Sequence, residues 1–294
     1  MTEQHSDIKV IDEFGREAGH IPARHRAIYL LPNAFTTAAL FAGFFAIVKA
    51  MSHEFNIAAV SIFCAMVLDG MDGRVARLTK TQSAFGEQYD SLADMVSFGV
   101  APALIAYGVG MQGLWDRVVL AFFVACGVSR LARFNVNTGV VDKRYFQGMP
   151  SPAAAALVAG FIWLTSALMV SHRDVPIFGD VISWFGGYPT DRADLSWIMF
   201  AITLFAGLTM VTNIPYYSFK DIGGAKSMPF VSLVVVALLM AVVSIEPATM
   251  LFLVFVGYSV SGYVIYVWRR AKGEQVSIVA TSKDEPDERG LHDD

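Results

Sequence analysis

Long runs of apolar residues divide this chain, and most of them are long enough to cross a lipid bilayer as a single helix. A helix needs about 20 such residues to span the hydrocarbon core. The 294 residues are 55% hydrophobic and 16% charged, whereas soluble domains carry about 25% charged residues. The chain is therefore predicted to be an all-α, polytopic helical membrane protein that is surrounded by membrane lipid.

The apolar runs predict eight transmembrane helices. Their approximate bounds are Ala27–Met51, Asn56–Arg77, Phe85–Met111, Trp115–Phe134, Pro152–Ser171, Leu195–Val211, Met228–Ile245 and Thr249–Trp268. The apolar stretch Val175–Tyr188 is short and interrupted by glycine and proline, so we expect an interfacial segment or a re-entrant loop there. Residues 1–26 form a polar N-terminal segment, and residues 273–294 form a charged tail that we expect to be disordered.

The lysine and arginine residues indicate how the chain is oriented. When the spans alternate, Lys49, Arg117, Arg173 and Arg192 fall on one side, and the other 18 of the 22 basic residues fall on the opposite side. Loops rich in lysine and arginine stay in the cytoplasm. We therefore expect both termini to be cytoplasmic and the protein to lie in the inner or plasma membrane of the cell. The net charge of −4 and the lack of a basic tract argue against a nucleic acid partner.

Four aspartates lie at the predicted cytoplasmic ends of the second and third spans. Asp69 and Asp72 are three residues apart, and Asp90 and Asp94 are four apart, so each pair lies on one helix face. The short connection makes the two helices antiparallel neighbours, so the two faces can meet. Clustered carboxylates repel one another unless cations neutralise them, and an all-oxygen set is typical of Mg²⁺ or Mn²⁺. We expect two such ions, an arrangement that serves phosphoryl transfer.

Two other roles for these carboxylates compete with a catalytic one. Salt bridges to Arg74 and Arg77 would join the two helices without any ligand. A divalent-cation transporter also has intramembrane aspartates, but we expect those nearer the midplane, on broken helices and within inverted repeats, which the sequence does not show. Gly73 and Gly86 favour a ligand site, because they let a nucleotide approach the backbone closely.

The aspartates belong to a longer pattern of eight fixed residues. It runs Asp69-x-x-Asp72-Gly73-x-x-Ala76-Arg77 and, after eight residues, Gly86-x-x-x-Asp90-x-x-x-Asp94. This pattern resembles the signature of the CDP-alcohol phosphotransferases at every fixed position. The resemblance implies a homodimer with a six-helix core over residues 27–211, followed by two additional helices in residues 212–272.

The resemblance also implies a role for each aspartate. Asp69 would bridge both metal ions, and Asp72 would complete the first metal site. Asp90 would contact both ions, and Asp94 would hold the second ion and act as the general base for the acceptor hydroxyl.

A pocket for the CDP group of the lipid donor follows from the same resemblance. Its residues would be Asn33, Thr36, Gly73, Ala76, Arg77 and Ser83. Asn33 and Thr36 belong to an early Pro-Asn-x-x-Thr element and would help to hold cytidine and phosphate. A helix cap beside Pro32 is the alternative role for Asn33.

Two further segments, residues 129–135 and 146–155, resemble the bacterial phosphatidylserine synthase branch of this family. This resemblance implies CDP-diacylglycerol as the donor and L-serine as the acceptor. An arginine can bind the serine carboxylate in a fork, and neutral side chains can hydrogen-bond to the rest of the molecule. The predicted serine-binding residues are Arg130, Arg133, Asn135 and Ser151.

Other roles for these residues stay open at this point. The two arginines would, in one alternative, only anchor a helix end to anionic lipid. A sister enzyme would use glycerol phosphate or inositol phosphate as its acceptor, and we expect such an enzyme to have more phosphate-binding basic residues than this chain offers.

Overall fold

A computed structural model of the protein describes residues 23–79, 81, 83–136, 145–171, 192–217 and 244–272. Four predicted features lie wholly or mostly outside these residues. They are the N-terminal segment at 1–26, the interfacial segment at 175–188, the span at 228–245 and the tail at 273–294.

Helices account for most of the described residues. They are α1 (Ala23–Met51), α2 (Phe55–Thr79), α3 (Ala84–Asp94), α4 (Ala101–Val109), α5 (Leu114–Val136), α6 (Ser151–Ser171), α7 (Arg192–Val211) and α8 (Pro247–Ala271). Between α3 and α4 the chain continues as a π-helix, Met95–Val100, which we call the π segment. The third predicted span is therefore one continuous helical rod with a widened turn in its middle.

The described helices confirm a polytopic helical membrane protein. Five helical stretches are long and apolar enough to cross a bilayer, namely Pro32–Met51, Phe55–Thr79, Ala84–Val109, Leu114–Val136 and Pro247–Ala271. Two shorter apolar stretches, Ser151–Ala167 and Ser196–Val211, lie where the sequence predicts the fifth and sixth spans. Proline suits the first turn of a helix but not its interior, so the position of Pro32 inside α1 is unusual.

Small residues let the helices pack closely. The central helix α6 buries every residue from Ala153 to Leu157, and it packs against α2 on one side and α8 on another. Helix α1 packs along α2, and α5 packs along α7. Because lipid is as apolar as the helix surfaces, close contact between small side chains is what holds such helices together.

A short β-ladder was not predicted from the sequence. Strand β1 (Tyr145–Gln147) pairs antiparallel with β2 (Pro215–Tyr217), and Phe146 lies opposite Tyr216. The ladder joins the segment before α6 to the segment after α7. Burial raises the pKa of Tyr216, so its hydroxyl stays protonated and donates a 3.0 Å hydrogen bond to the carbonyl of Ser259 on α8.

The turn after β1 depends on a glycine. Gly148 has a φ of +75°, and a Cβ placed there would lie 2.4 Å from the carbonyl oxygen of Met210. Its N–H donates to the carbonyl of Ile214, and the next N–H, of Met149, donates to that of Thr209. This turn therefore lies directly on the end of α7, and it fixes where α6 begins.

Candidate active site

The four predicted aspartates converge between α2 and α3. Oxygen atoms of Asp69, Asp72 and Asp90 all lie within 4.8 Å of one another. Asp94, one turn beyond Asp90, joins the cluster through its side-chain contact with Asp69. The short α2–α3 connection and the packing of α1 against both helices bring the two pairs together.

The donor atoms of this cluster fit a hard divalent cation. All of them are carboxylate oxygens, and Oδ1 of Asp90 is buried without a hydrogen-bond partner. Among the described residues, no lysine or arginine forms an ion pair with any of the four aspartates. A buried carboxylate oxygen without a partner is costly, and a bound cation would remove that cost. The alternative of a salt-bridged structural cluster has no support in these contacts.

A hydroxyl group holds one of the carboxylates in place. Thr36 of α1 donates a 2.6 Å hydrogen bond to Oδ2 of Asp72, and both side chains are buried. This bond gives the Asp72 carboxylate a defined orientation.

A cavity of about 500 Å³ opens beside the cluster. Asp72 and Asp90 lie in its wall, and five of the six predicted CDP-binding residues line it: Asn33, Thr36, Gly73, Ala76 and Ser83. Arg77 is not among the lining residues, and its Nε donates a 2.9 Å hydrogen bond to the carbonyl of Gly73.

Two of these lining residues also have local structural roles. Ser83 is the N-cap of α3, where its Oγ accepts a 3.0 Å hydrogen bond from the N–H of Gly86. Asn33 lies inside α1, so it is not a helix cap. Its Oδ1 lies 3.4 Å from where a Cβ on Gly86 would be, so α1 and the start of α3 meet at the cavity.

Arg130 lies near Asp94, is not among the residues that line the cavity, and is 8% exposed. Its Nη1 donates a 2.9 Å hydrogen bond to Oγ of Ser151, at the start of α6. Its Nε is buried and has no hydrogen-bond partner. The charges of Arg130 and Asp94 attract each other, although no direct ion pair joins these two described side chains. A buried guanidinium with an unpaired donor, close to a carboxylate cluster, is a candidate ligand site.

Arg133 has a different environment, although it lies less than one turn away. Its Nη1 donates to the carbonyl of Val211 and to Oδ1 of Asn213, both at 3.1 Å. Its Nη2 donates to the carbonyls of Gln147 and Met210 at 3.1 and 3.2 Å. Arg133 therefore ties α5 to β1 and to the end of α7.

Asn135, the fourth residue predicted to bind serine, contacts the aspartate helix. Its Nδ2 lies 3.0 Å and its Oδ1 3.2 Å from the hydroxyl oxygen of Ser91, within hydrogen-bonding distance. Ser91 lies between Asp90 and Asp94 in the chain. The structure thus brings Arg130, Asn135 and Ser151 to the side of the cluster that faces α5 and α6.

The comparison with known families agrees with this geometry. Residues 29–188, more than half of the chain, match the model of the CDP-alcohol phosphatidyltransferase family. The chain belongs to that family. The match includes all four aspartates and the wall of the cavity, whereas α7 and α8 lie beyond it.

Several relatives of this family member carry one and the same name, CDP-diacylglycerol–serine O-phosphatidyltransferase. The protein from Helicobacter pylori (strain ATCC 700392 / 26695) is 41% identical over 197 residues, which cover 66% of this chain and 75% of the relative. The protein from Saccharomyces cerevisiae is 44% identical over 137 residues, covering 42% and 50%. The one from Methanocaldococcus jannaschii is 32% identical over 157 residues, covering 53% and 74%.

Some residues at the site of this CDP-alcohol phosphatidyltransferase were not predicted from its sequence. Thr81 and Glu87 line the cavity; Thr81 lies in the α2–α3 connection between the two halves of the motif, and Glu87 directly follows the fixed Gly86. Their place inside the motif was a usable signal. Tyr258 of α8 is close enough to Arg130 to affect it electrostatically. No signal in the sequence links Tyr258 to the motif, because they are more than 160 residues apart.

Proposed function

We propose that this protein transfers the phosphatidyl group of CDP-diacylglycerol to the hydroxyl of L-serine, with release of CMP. The observation that carries the proposal is an aspartate cluster that borders a nucleotide-sized cavity and also lies near the buried, partly unpaired Arg130. The names of the relatives describe the same reaction and support it.

The cavity is the proposed site of the CDP group. Its volume of about 500 Å³ lies within the usual range of ligand pockets, about 300–1,000 Å³. Gly73 and Ala76 present little side chain to it, so a pyrophosphate can reach the aspartates. Asn33, Thr36 and Ser83 offer polar atoms for the nucleotide. Arg77 would reach the leaving phosphate from the exposed rim, in exchange for its bond to the Gly73 carbonyl.

Asp69, Asp72, Asp90 and Asp94 are proposed to hold two divalent cations, Mg²⁺ or Mn²⁺, which would neutralise the negative charge that the pyrophosphate carries. The residues around them prepare this site. Thr36 orients Asp72, and the unpaired Oδ1 of Asp90 is a free ligand atom.

Asp94 is proposed to be the general base. It accepts the proton of the serine hydroxyl, and the serine oxygen forms a bond to the phosphorus that carries diacylglycerol. The bond from that phosphorus to the CMP oxygen breaks, and CMP leaves with the electron pair. Asp94 suits this role because its side chain contacts Asp69 of the cluster and lies near Arg130, where the acceptor would bind.

Arg130 is proposed to bind the carboxylate of serine. Nη1 of Arg130 donates to Ser151, so the edge of the guanidinium formed by Nε and Nη2 is left to bind a ligand. Two parallel N–H groups on that edge match the two oxygens of a carboxylate. We propose that Asn135 and Ser151 complete the acceptor site. The four hydrogen bonds of Arg133 suit it instead to a structural role, in which it connects α5 to β1 and to the end of α7.

The finer architecture is part of the proposal. We propose eight spans, a core over residues 27–211, two additional helices in residues 212–272, and a homodimer. Both termini and the active site would face the cytoplasm, as the distribution of lysine and arginine indicates.

The deciding experiment supplies one acceptor at a time to the purified full-length protein. The assay contains CDP-diacylglycerol and Mn²⁺ or Mg²⁺, and it measures CMP release with serine, glycerol 3-phosphate or inositol phosphate. We expect release with serine alone. Release with a phosphorylated acceptor and not with serine would assign the protein to a sister activity, and cation flux in liposomes without any CMP release would favour a transporter.

A variant tests the role of Arg130 in the same assay. Ethanolamine is serine without its carboxylate, so the wild-type protein should strongly prefer serine to ethanolamine as the acceptor. Arg130→Lys keeps the charge but loses the fork, and a charged hydrogen bond contributes about 1.5–3 kcal/mol, so the preference should fall about tenfold or more. Arg117→Lys, at the opposite end of α5, is the matched control and should leave the preference unchanged. An unchanged preference in Arg130→Lys would exclude Arg130 as the carboxylate ligand.

A further inference from the structure

The helical rod that carries Asp90 and Asp94 changes its hydrogen-bond pattern directly after Asp94. The N–H of Met95 still donates to the carbonyl of Ser91, four residues back. The N–H of Ala101 donates to the carbonyl of Val96, five residues back. The π segment between them therefore contains one residue more than an α-helix of the same length would hold.

This extra residue changes which way the aspartates face. An α-helix turns about 100° per residue, so Asp90 and Ala101, eleven residues apart, would lie on nearly the same face of an unbroken helix. Ala101 and Ile105 are completely buried in the bundle, and α4 packs against α1, α2 and α6. The extra residue therefore rotates the aspartate face by about 100° relative to that buried face, and in the structure Asp90 meets Asp69 and Asp72 of α2.

The contacts of the π segment show what holds the widened turn. Oγ of Ser97 donates a 3.2 Å hydrogen bond to the carbonyl of Ala39 on α1. Gly43, one turn further along α1, lies so close to Ser97 that an added Cβ would be 2.4 Å from its Oγ and 2.8 Å from its Cα. Only glycine permits this approach.

The same face of α1 also holds the other half of the metal cluster. Thr36, which bonds to Asp72, lies three residues before Ala39 and seven before Gly43, so all three share one helix face. Helix α1 thus contacts Asp72 of α2 at one turn and the π segment at the next two turns.

We infer that the π segment, held by the contact of its Ser97 with Gly43 of α1, sets the rotation of Asp90 and Asp94 towards Asp69 and Asp72. Gly43 and Ser97 are thus positioning residues for the carboxylates, and neither of them touches the substrate. The inference rests on the proposed function only for the identity of the reaction, because the convergence of the carboxylates is a property of the fold itself.

The experiment measures Mn²⁺ binding by electron paramagnetic resonance on the full-length protein in detergent, together with kcat and KM. Deletion of Val96 should restore an unbroken α-helix, rotate the aspartates and lower the Mn²⁺ affinity at least tenfold. Ser97→Ala is the milder variant for the case in which the deletion does not fold. It should lower kcat about tenfold and leave the KM for CDP-diacylglycerol within about twofold, since small misplacements of catalytic groups cost rate more than binding.

Gly43→Ala has a matched control in Gly257→Ala, since a Cβ at Gly257 of α8 meets nothing within 4 Å. Gly43→Ala should weaken Mn²⁺ binding, whereas Gly257→Ala should not. The inference is overturned if the Val96 deletion folds and keeps wild-type Mn²⁺ affinity and kcat. It is also overturned if Ser97→Ala keeps the wild-type kcat and Gly43→Ala behaves like its control. A wild-type protein that binds Mn²⁺ but transfers nothing to serine would contradict the proposed function and leave this inference standing.

Discussion

The hydroxyl of Thr36 donates a 2.6 Å hydrogen bond to Oδ2 of Asp72, across the interface between α1 and α2. The two residues are 36 positions apart in the chain, and both are buried. This bond assigns Thr36 a role in orienting a carboxylate of the cluster, in addition to its place in the wall of the nucleotide cavity.

Thr36→Val should therefore raise the concentration of Mn²⁺ or Mg²⁺ needed for half-maximal activity. Valine keeps the shape of threonine but cannot donate, and hydrogen bonds to charged groups contribute about 1.5–3 kcal/mol, so we expect about a tenfold rise. Metal titration of CMP release measures it. Thr165→Val is the control, because Thr165 is a buried threonine of α6 that bonds only to carbonyls of its own helix. Equal metal requirements in the two variants would contradict the role of Thr36.

Asp94→Asn should lower kcat far more than it weakens binding of the CDP-lipid. An amide cannot accept the proton of the serine hydroxyl, and general-base catalysis contributes about 10²–10⁴-fold. Binding of CDP-diacylglycerol is measured separately, by thermal shift with increasing lipid. A parallel fall of binding and turnover would mean that Asp94 acts as a metal ligand alone.

Arg133→Ala should destabilise the protein and leave the KM for serine unchanged in the folded fraction. The variant removes contacts with three backbone carbonyls and with Asn213, so we expect a loss of about 2 kcal/mol or more. Thermal unfolding in detergent and serine titration measure the two effects. Arg117→Ala is the control, since Nε of Arg117 bonds only to the carbonyl of Gly113 at 3.3 Å. A raised KM with unchanged stability would instead make Arg133 a serine ligand.

The proposed orientation predicts which cysteines react from outside intact cells. In a background with Cys64→Ala and Cys126→Ala, Ser52→Cys should react with a membrane-impermeant thiol reagent in intact cells, because Ser52 is exposed in the α1–α2 connection. Gln88→Cys, exposed on α3 beside the aspartates, should react only after the membrane is opened. The reverse pattern of labelling would place the active site on the outer side.

Much of the site could be predicted because its information is local. The spacing of Asp69, Asp72, Asp90 and Asp94 puts each pair on one helix face, and a short connection forces the two helices to be neighbours. Apolar runs likewise predict the helices, because each of them must satisfy its own backbone inside the bilayer. Three-residue strands such as β1 carry no periodic pattern, so the ladder with β2 could not be predicted.

The sequence by itself determined that the chain crosses a membrane and carries a carboxylate cluster near one end of two adjacent spans, since composition and helix periodicity are sufficient for both. Only the tertiary structure separated Arg130 from Arg133. The two side chains are chemically identical and three residues apart, and what distinguishes them is which partners other helices supply. The π segment was also decided by packing, because its widened turn depends on the approach of Gly43 to Ser97, and residues 54 positions apart meet only when the helices pack.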